Sequence, residues 1–426
     1  MTIFEIGALL LGLSAAFGFI NHKWLKLPHT IGLVIIALLA SGMIVIADLV
    51  FPQFGITAAV TKTLVSIDFD KTLMNGMLSF LLFAGAVHVD LDELAARKWT
   101  IGLMATMGVL TSTFLIGGAM WGIMQLAGMP VSFMWSLVFG ALITPTDPVA
   151  VLGLLKTIKI PPLLKAKIAG ESLFNDGVGV VVFTIMVALA VSSTGQGADV
   201  AAGGHNEMDA LGIAKLFVIE AGGGVLLGAI GGMIAFWAMR QIDEHNIEVL
   251  ITLALVMVIY AIAIRLHLSG PIAVVIAGLF IGNHGAKFAM SSNTRKHVFQ
   301  FWELIDEILN SVLFLLIGLE VIVIGADLLN LPIALLAIPV ALLARLISVS
   351  IPIGLFSIRK QFERGSISIL TWGGLRGGIS VALALSLPDV PEKPGILAAT
   401  YAVVVFSIIV QGLTMKKLVA RFKFFD

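Results

Sequence analysis

Thr144-Pro145-Thr146-Asp147-Pro148, followed about twenty residues later by Glu171-Ser172-Leu173-Phe174-Asn175-Asp176-Gly177, sets carboxylates into two otherwise apolar segments. An ionisable group at membrane depth costs roughly 2.5–3.5 kcal/mol on insertion scales, so it is rarely kept without a use. The two prolines would break a membrane helix and free backbone groups that then need new partners. A broken helix facing a buried Asp is one way for a membrane protein to make a cation site.

Composition sets the context for that reading. Of 426 residues, 59% are hydrophobic and 12% charged, against roughly 25% charged in soluble domains. A soluble core cannot bury that much apolar surface, so the chain reads as an all-α polytopic membrane protein. Its formal net charge of zero excludes a general electrostatic partner such as nucleic acid. The absence of cysteine excludes disulfides, thiolate metal sites and a cysteine nucleophile. The first apolar segment carries Glu5, has no basic residue before it and is followed by Lys23 and Lys26, which argues for an uncleaved helix rather than a signal peptide.

Apolar runs separated by polar loops predict about thirteen spans. They lie near 3–20, 31–47, 72–88, 101–126, 132–155, 168–191 and 211–239, then 248–265, 271–283, 304–324, 331–356, 366–387 and 395–414. The longest polar interruptions are 48–71, 192–210 and 284–303, the second Gly/Ser/Ala-rich. Nineteen of the 26 basic residues fall in one alternating set of loops and the tail, among them Lys23, Lys26, Arg97, Lys156, Arg240, Lys287, Arg359 and Lys416. Five lie in the opposite set: Lys62, Lys71, Lys215, Arg265 and Lys393. The positive-inside rule then places the N-terminus outside and the C-terminus in the cytoplasm, as an odd number of spans requires. Arg345 and Arg376 remain inside apolar spans, too far from the ends to snorkel easily, so each needs a buried partner. Pro-Thr-Asp-Pro interrupts the fifth span and Gly373-Gly-Leu-Arg-Gly-Gly378 the twelfth. With the seventh span as connector, these fall in corresponding places of two inverted six-span repeats, a topology that points to a midplane site.

Helical spacing sorts the candidate residues. Ser172 and Asp176 share one face of the sixth span, as do Glu171 and Asn175. Glu171 and Asp176 point roughly 140° apart, so one cavity cannot hold both. Glu171 is assigned to a structural pair with an intramembrane arginine, Arg345 preferred and Arg376 next. Asp176, about 12 Å in from Ile168, is left to line the cavity. The alternative makes Asp176 the paired residue, with no ion site. Asp147 either ligates a cation or caps a half-helix and neutralises the crossover, the second being preferred. Thr144 and Thr146 offer hydroxyl and carbonyl oxygens, hard ligands suited to Na⁺ or Li⁺. His88, at the end of the third span, is either a pH-sensitive group or a boundary residue meeting water. Glu320 is a further buried acid, toward the outer end of its span. The Gly222–Gly232 cluster reads as close helix packing. No Walker motif, His-Glu-x-x-His or zinc spacing occurs.

Pro-Thr-Asp-Pro, Glu-Ser-Leu-Phe-Asn-Asp-Gly and Gly-Gly-Leu-Arg-Gly, in that order, resemble the monovalent cation–proton antiporters of the NhaP/NHE type, over nearly the whole chain. The resemblance implies a homodimer in the lipid bilayer, with a mobile core moving by elevator-like alternating access past a dimerisation domain. It divides the chain into 1–100 and 192–330 (dimerisation domain with linker helix) and 101–191 and 331–426 (core and short tail), with spans 5 and 12 as crossed, interrupted helices. It implies that Asp176 binds cation or proton, that Thr146 and Ser172 help to coordinate the ion, and that Asn175 stabilises the crossover. It also supports the Glu171–Arg345 pairing. The Asn-Asp sequence at 175–176 resembles the electroneutral, one-for-one branch. The implied cargo is H⁺ against Na⁺, with Li⁺ and K⁺ as alternatives, with no cofactor and no enzymatic activity, in the service of pH and cation homeostasis. Some archaeal relatives carry a Glu in the third span, and Phe80–His88 here has no acid. The short tail after Met415 lacks the regulatory domain of animal exchangers and points to a prokaryotic plasma membrane. The rival readings are a cation channel without proton coupling and an intramembrane aspartyl protease using Asp147 and Asp176, whose Gly-x-Gly-Asp signature is absent.

Overall fold

The computed structural model describes residues 2–65, 67, 69–92, 98–129, 131–147, 162–193, 210–324, 331–357 and 365–422, and these contain helices and no strand. Outside them fall Pro148 and the rest of the fifth expected span, residues 194–209 of the interruption at 192–210, and the basic residues Arg97, Lys156, Lys159, Arg359, Lys360, Arg364 and Lys423.

The first helices are α1 (Ile3–Ile20), α2 (His29–Val50) and α3 (Ile56–Val65), and a π turn at Thr72–Met77 leads into α4 (Leu78–Val87). Glu5 belongs to a capping box: its side chain accepts from Thr2 N at 2.7 Å while its N–H donates to Thr2 Oγ1 at 3.2 Å. Next come α5 (Lys98–Leu126), α6 (Phe133–Ile143) and α7 (Pro162–Ser193). Then follow α8 (Ala210–Met239), α9 (His245–Arg265), α10 (Gly270–Phe280) and α11 (Ser292–Ile324). The last group is α12 (Leu331–Ser357), α13 (Ser366–Trp372), α14 (Gly378–Leu385), α15 (Lys393–Phe406) and α16 (Gly412–Ala420).

Among the described residues, ten helical segments are long and apolar enough to cross a membrane. The three expected spans missing from those ten are the short or broken ones. The third is only Thr72–Val87. The fifth stops at Ile143, where Pro145 cannot supply the next N–H. The twelfth is split into α13 and α14 by the glycine-rich run between them.

Two polar interruptions expected to be loops are partly helical. Residues 56–65 form α3 inside the interruption at 48–71, and α11 begins at Ser292 rather than near 304. The first turns of α11 are amphipathic: Thr294, Val298 and Trp302, each four apart, are buried while Arg295 and Lys296 are exposed. Those charges lower the local hydropathy and mask the helix. At 33 residues, α11 is about 50 Å long and extends well past a hydrocarbon core of roughly 30 Å.

Packing sorts the helices into two sets. α5, α6 and α7 pack on one another, α12 packs on α5 and α15, and α14 packs on α15 and α6. In the other set α2 lies along α11, α10 packs on α4, α8 and α9, and α4 and α9 pack on α11. α6 sits unusually close to α5: a Cβ at Gly140 would run into the carbonyl oxygen of Thr113. We therefore expect Gly140→Ala to destabilise the fold by about 1–3 kcal/mol through overpacking. Gly118→Ala on α5, where the added carbon meets nothing within 4 Å, is expected to be neutral or slightly stabilising. Melting curves of the detergent-purified variants check this, and equal melting temperatures would refute the close approach.

Candidate functional site

Two chain breaks meet inside the protein. Beyond Ile143 the backbone leaves the helix, and between Trp372 and Gly378 it does so again. The breaks satisfy each other. Asp147 N–H donates to Leu375 O at 2.7 Å. The Arg376 guanidinium donates through Nη1 to Thr144 O and, at 3.1 Å, to Pro145 O. Arg376 N–H is taken by Ser407 Oγ at 2.9 Å. The buried partners of Arg376 are thus the carbonyls that the Pro145 break leaves without helical donors, and no ion pair between Arg376 and a carboxylate appears among the described residues.

α7 closes the crossover from the side. Asn175 Nδ2 donates to Thr146 Oγ1 at 2.9 Å, and Thr146 N–H donates to Asn175 Oδ1 at 3.3 Å. Ser172 Oγ donates to Thr146 O, and its oxygen lies 3.2 Å from Thr146 Oγ1. Thr146 is therefore held at its N–H, hydroxyl and carbonyl by two residues one turn apart on α7. Thr144 takes no part in this cluster. Its hydroxyl donates to Gly140 O at 2.7 Å and its carbonyl accepts from Arg376, which leaves neither oxygen turned to the cavity described below.

One turn before Asn175, Glu171 meets Arg345 of α12 in a two-pronged ion pair: Nη1 donates to Oε1 at 2.5 Å and Nη2 to Oε2 at 2.7 Å. Arg345 Nη2 also reaches Leu370 O at 3.3 Å, and Asn175 Nδ2 lies 3.4 Å from Glu171 Oε1. Gly374 makes room for the guanidinium, since a Cβ there would lie 2.6 Å from Arg345 Nε. Both side chains are buried, so their charges depend on each other.

Asp176 turns the other way. It is 4% exposed, and its Oδ1 has no hydrogen-bond partner. It lines a cavity of about 60 Å³ together with Thr146, Asp147, Ser380 and Asn310, walled by leucines that include Leu78 and Leu82 of α4. Asp147 faces the start of α14: a Cβ at Gly377 would lie 2.6 Å from its Oδ2. The carboxylate thus sits beside the N-terminus of α14, while the segment that follows Asp147 in its own chain lies outside the described residues. Glu320 is buried on α11 but does not line the cavity. It is ten residues beyond Asn310, about 15 Å along the helix. His88 is exposed at the end of α4, with Nδ1 2.7 Å from Ala84 O and its ring edge-on to Phe299.

Two lining residues escape a motif reading. Ser380 stands just after the Gly-Gly-Leu-Arg-Gly-Gly run, and Asn310 follows the acidic pair Asp306–Glu307 on α11. The signal for each is a polar residue in an otherwise apolar stretch. Among the described residues no group of three or more His, Asp or Glu is arranged to hold a metal ion.

Known proteins match the chain along its length. The family model described as sodium/hydrogen exchanger, transmembrane, matches residues 12–421. The Na⁺/H⁺ antiporter NhaP of Pseudomonas aeruginosa is 46% identical over 422 residues, covering 98% of this chain and 96% of that protein. The Na⁺/H⁺ antiporter NhaH of Halobacillus dabanensis is 34% identical, covering 94% and 93%. Among solved structures, the sodium proton antiporter MjNhaP1 of Methanocaldococcus jannaschii at pH 8 superposes with a TM-score of 0.74 over 99% of both chains at 19% identity, a likeness of fold.

The double-mutant cycle at Glu171 and Arg345 has a definite expected outcome. Glu171→Gln and Arg345→Met should each destabilise the protein by about 3–5 kcal/mol, because each orphans a buried charge. The double variant should recover part of that loss. Strictly additive effects on unfolding would show that the contact contributes no coupling.

Proposed function

The chain belongs to the sodium/hydrogen exchanger family, and on that premise we propose that it exchanges Na⁺ for H⁺ across the membrane, one for one, at Asp176. The observation that carries this reading is the state of that carboxylate: buried, with one oxygen unpartnered, in a cavity beside two broken helices. A carboxylate so placed can hold a proton or balance one monovalent cation, and the two loads exclude each other. That exclusion couples the fluxes.

Thr146 and Ser172 are the further ion ligands of this reading, Thr146 lining the cavity and Ser172 bonded to it from α7. Their oxygens are already mutually oriented, so a cation arriving at Asp176 meets an ordered wall. Asn175 holds Thr146 without bringing a charge. Asp147 serves the crossover, its charge offset by the first turn of α14, and Thr144 contributes its carbonyl to Arg376 rather than to the ion. The cargo is Na⁺, with Li⁺ and K⁺ as the other hard monovalent candidates.

Alternating access fits an elevator. The cavity lies on the seam between the two packing sets: Thr146, Asp147, Asp176 and Ser380 belong to one, and Leu78, Leu82 and Asn310 to the other. Residues 101–191 and 331–426 form the moving core, and 1–100 with 192–330 the frame through which two copies dimerise. The frame rests in the plasma membrane with the N-terminus outside and the C-terminus in the cytoplasm. One charge in either loaded state leaves the core neutral as it moves, so the membrane potential does no net work on it.

In proteoliposomes, the wild-type protein should collapse an imposed pH gradient on addition of Na⁺, and Asp176→Asn should abolish this while purifying as a folded protein. Substantial Na⁺-driven proton movement by that variant would sink the assignment. A potassium/valinomycin potential should leave the Na⁺/H⁺ exchange rate unchanged in either polarity. Acceleration with one sign of the potential would bring in a second titrating group, with Asp147 the first to examine.

A further inference from the structure

Ser380 occupies the third position of α14, on the opposite repeat from Asp176. Its side chain is 1% exposed, and its hydroxyl has no partner although it lines the cavity. The other lining hydroxyl, that of Thr146, is engaged by Ser172 and Asn175. Some buried hydroxyls in the spans donate to the carbonyl four residues back, as Thr144 does to Gly140 and Thr400 to Ile396, while those of Ser14, Ser112 and Thr371 have no partner but lie away from the cavity. Ser380 makes no such bond, and the residue four places before it, Arg376, lies in the break and outside the helix.

An orphaned hydroxyl in the interior is destabilising, and one that faces a cavity calls for an external partner. The cavity has the room, about 60 Å³ against roughly 10–15 Å³ for a single water. The same cavity is lined by Asp176, whose Oδ1 is likewise unpartnered. A single carboxylate oxygen leaves most of a cation's coordination shell unfilled, and a hydroxyl offers the hard, uncharged oxygen that such an ion accepts.

We propose that Ser380 is a ligand of the transported cation, contributing its hydroxyl oxygen from the second repeat while Asp176 binds from the first. This rests on the exchanger reading above. The assignment gives the site one oxygen donor from each broken-helix repeat. The third span itself brings only leucines and a glycine to the cavity.

The test is Ser380→Ala, read in two ways on the intact protein. In proteoliposomes the KM for Na⁺ should rise roughly tenfold, the equivalent of one polar contact at about 1.4 kcal/mol per decade, with the maximal rate little changed. In detergent, the Na⁺ concentration that half-maximally raises the melting temperature, measured against choline, should rise by the same factor. The melting temperature in choline alone should stay level or increase, since the orphaned hydroxyl is gone. Unchanged Na⁺ midpoints, or a lower melting temperature in choline with the midpoint unmoved, would overturn the assignment and leave Ser380 a packing residue. Normal exchange in both proteins would reject Ser380 alone. Absence of Na⁺/H⁺ exchange in the wild type would reject the exchanger reading itself.

Discussion

Breaking a helix inside a bilayer frees carbonyls and N–H groups that lipid cannot satisfy, and here one guanidinium answers much of that demand. Arg376 stands in the second break and donates to the carbonyls of Thr144 and Pro145 in the first, while Asp147 N–H returns a bond to Leu375 O. Each break is thus the other's partner. Irregular backbone at membrane depth is tolerated only when buried in protein or lining a cavity, and this crossover does both. The glycines around Arg376 belong to the same solution, since the chain must pass close to Arg345 at Gly374 and to Asp147 at Gly377.

With the backbone settled, the acids divide by environment. Glu171 is committed to Arg345 with both oxygens, and Asp147 abuts the first turn of α14. Asp176 retains an oxygen without a partner. The separation comes from helical geometry: five residues along α7 turn the two carboxylates to different neighbours, one to α12 and the other to the cavity. The buried pair is weak evidence for net stability, because desolvating two charges offsets much of their attraction. Its clearer consequence is positional. It anchors the turn of α7 that carries Ser172, Asn175 and Asp176.

Much of this architecture is legible in the amino-acid sequence. Hydropathy locates the long spans because each of ten described helical segments contains a stretch apolar enough to cross a membrane. It shortens α11 because Arg295, Lys296 and their neighbours colour the exposed face of a helix whose other face is buried. It also passes over α3, a short helix bearing a lysine near its end. Both are failures of averaging: a window sums the two faces of a helix, whereas packing sees only one. Thr144 shows a different limit. Its residue type suits a cation, but its hydroxyl meets a carbonyl one turn back and its carbonyl meets an arginine.

By itself the sequence determined that the chain lives in a membrane, where its helices break, and which carboxylates share or oppose a face, for all of these follow from composition and local helical period. Only the tertiary structure decided what each face meets. Glu171 and Arg345 are 174 residues apart, and Thr144 and Arg376 are 232 apart. Between two buried arginines the sequence could only express a preference, since either charge satisfies the same requirement. Asn310 and Ser380 were invisible for the same reason. A lone polar residue in an apolar helix acquires meaning only when the fold sets it against a cavity, and that depends on contacts between elements that no local pattern encodes.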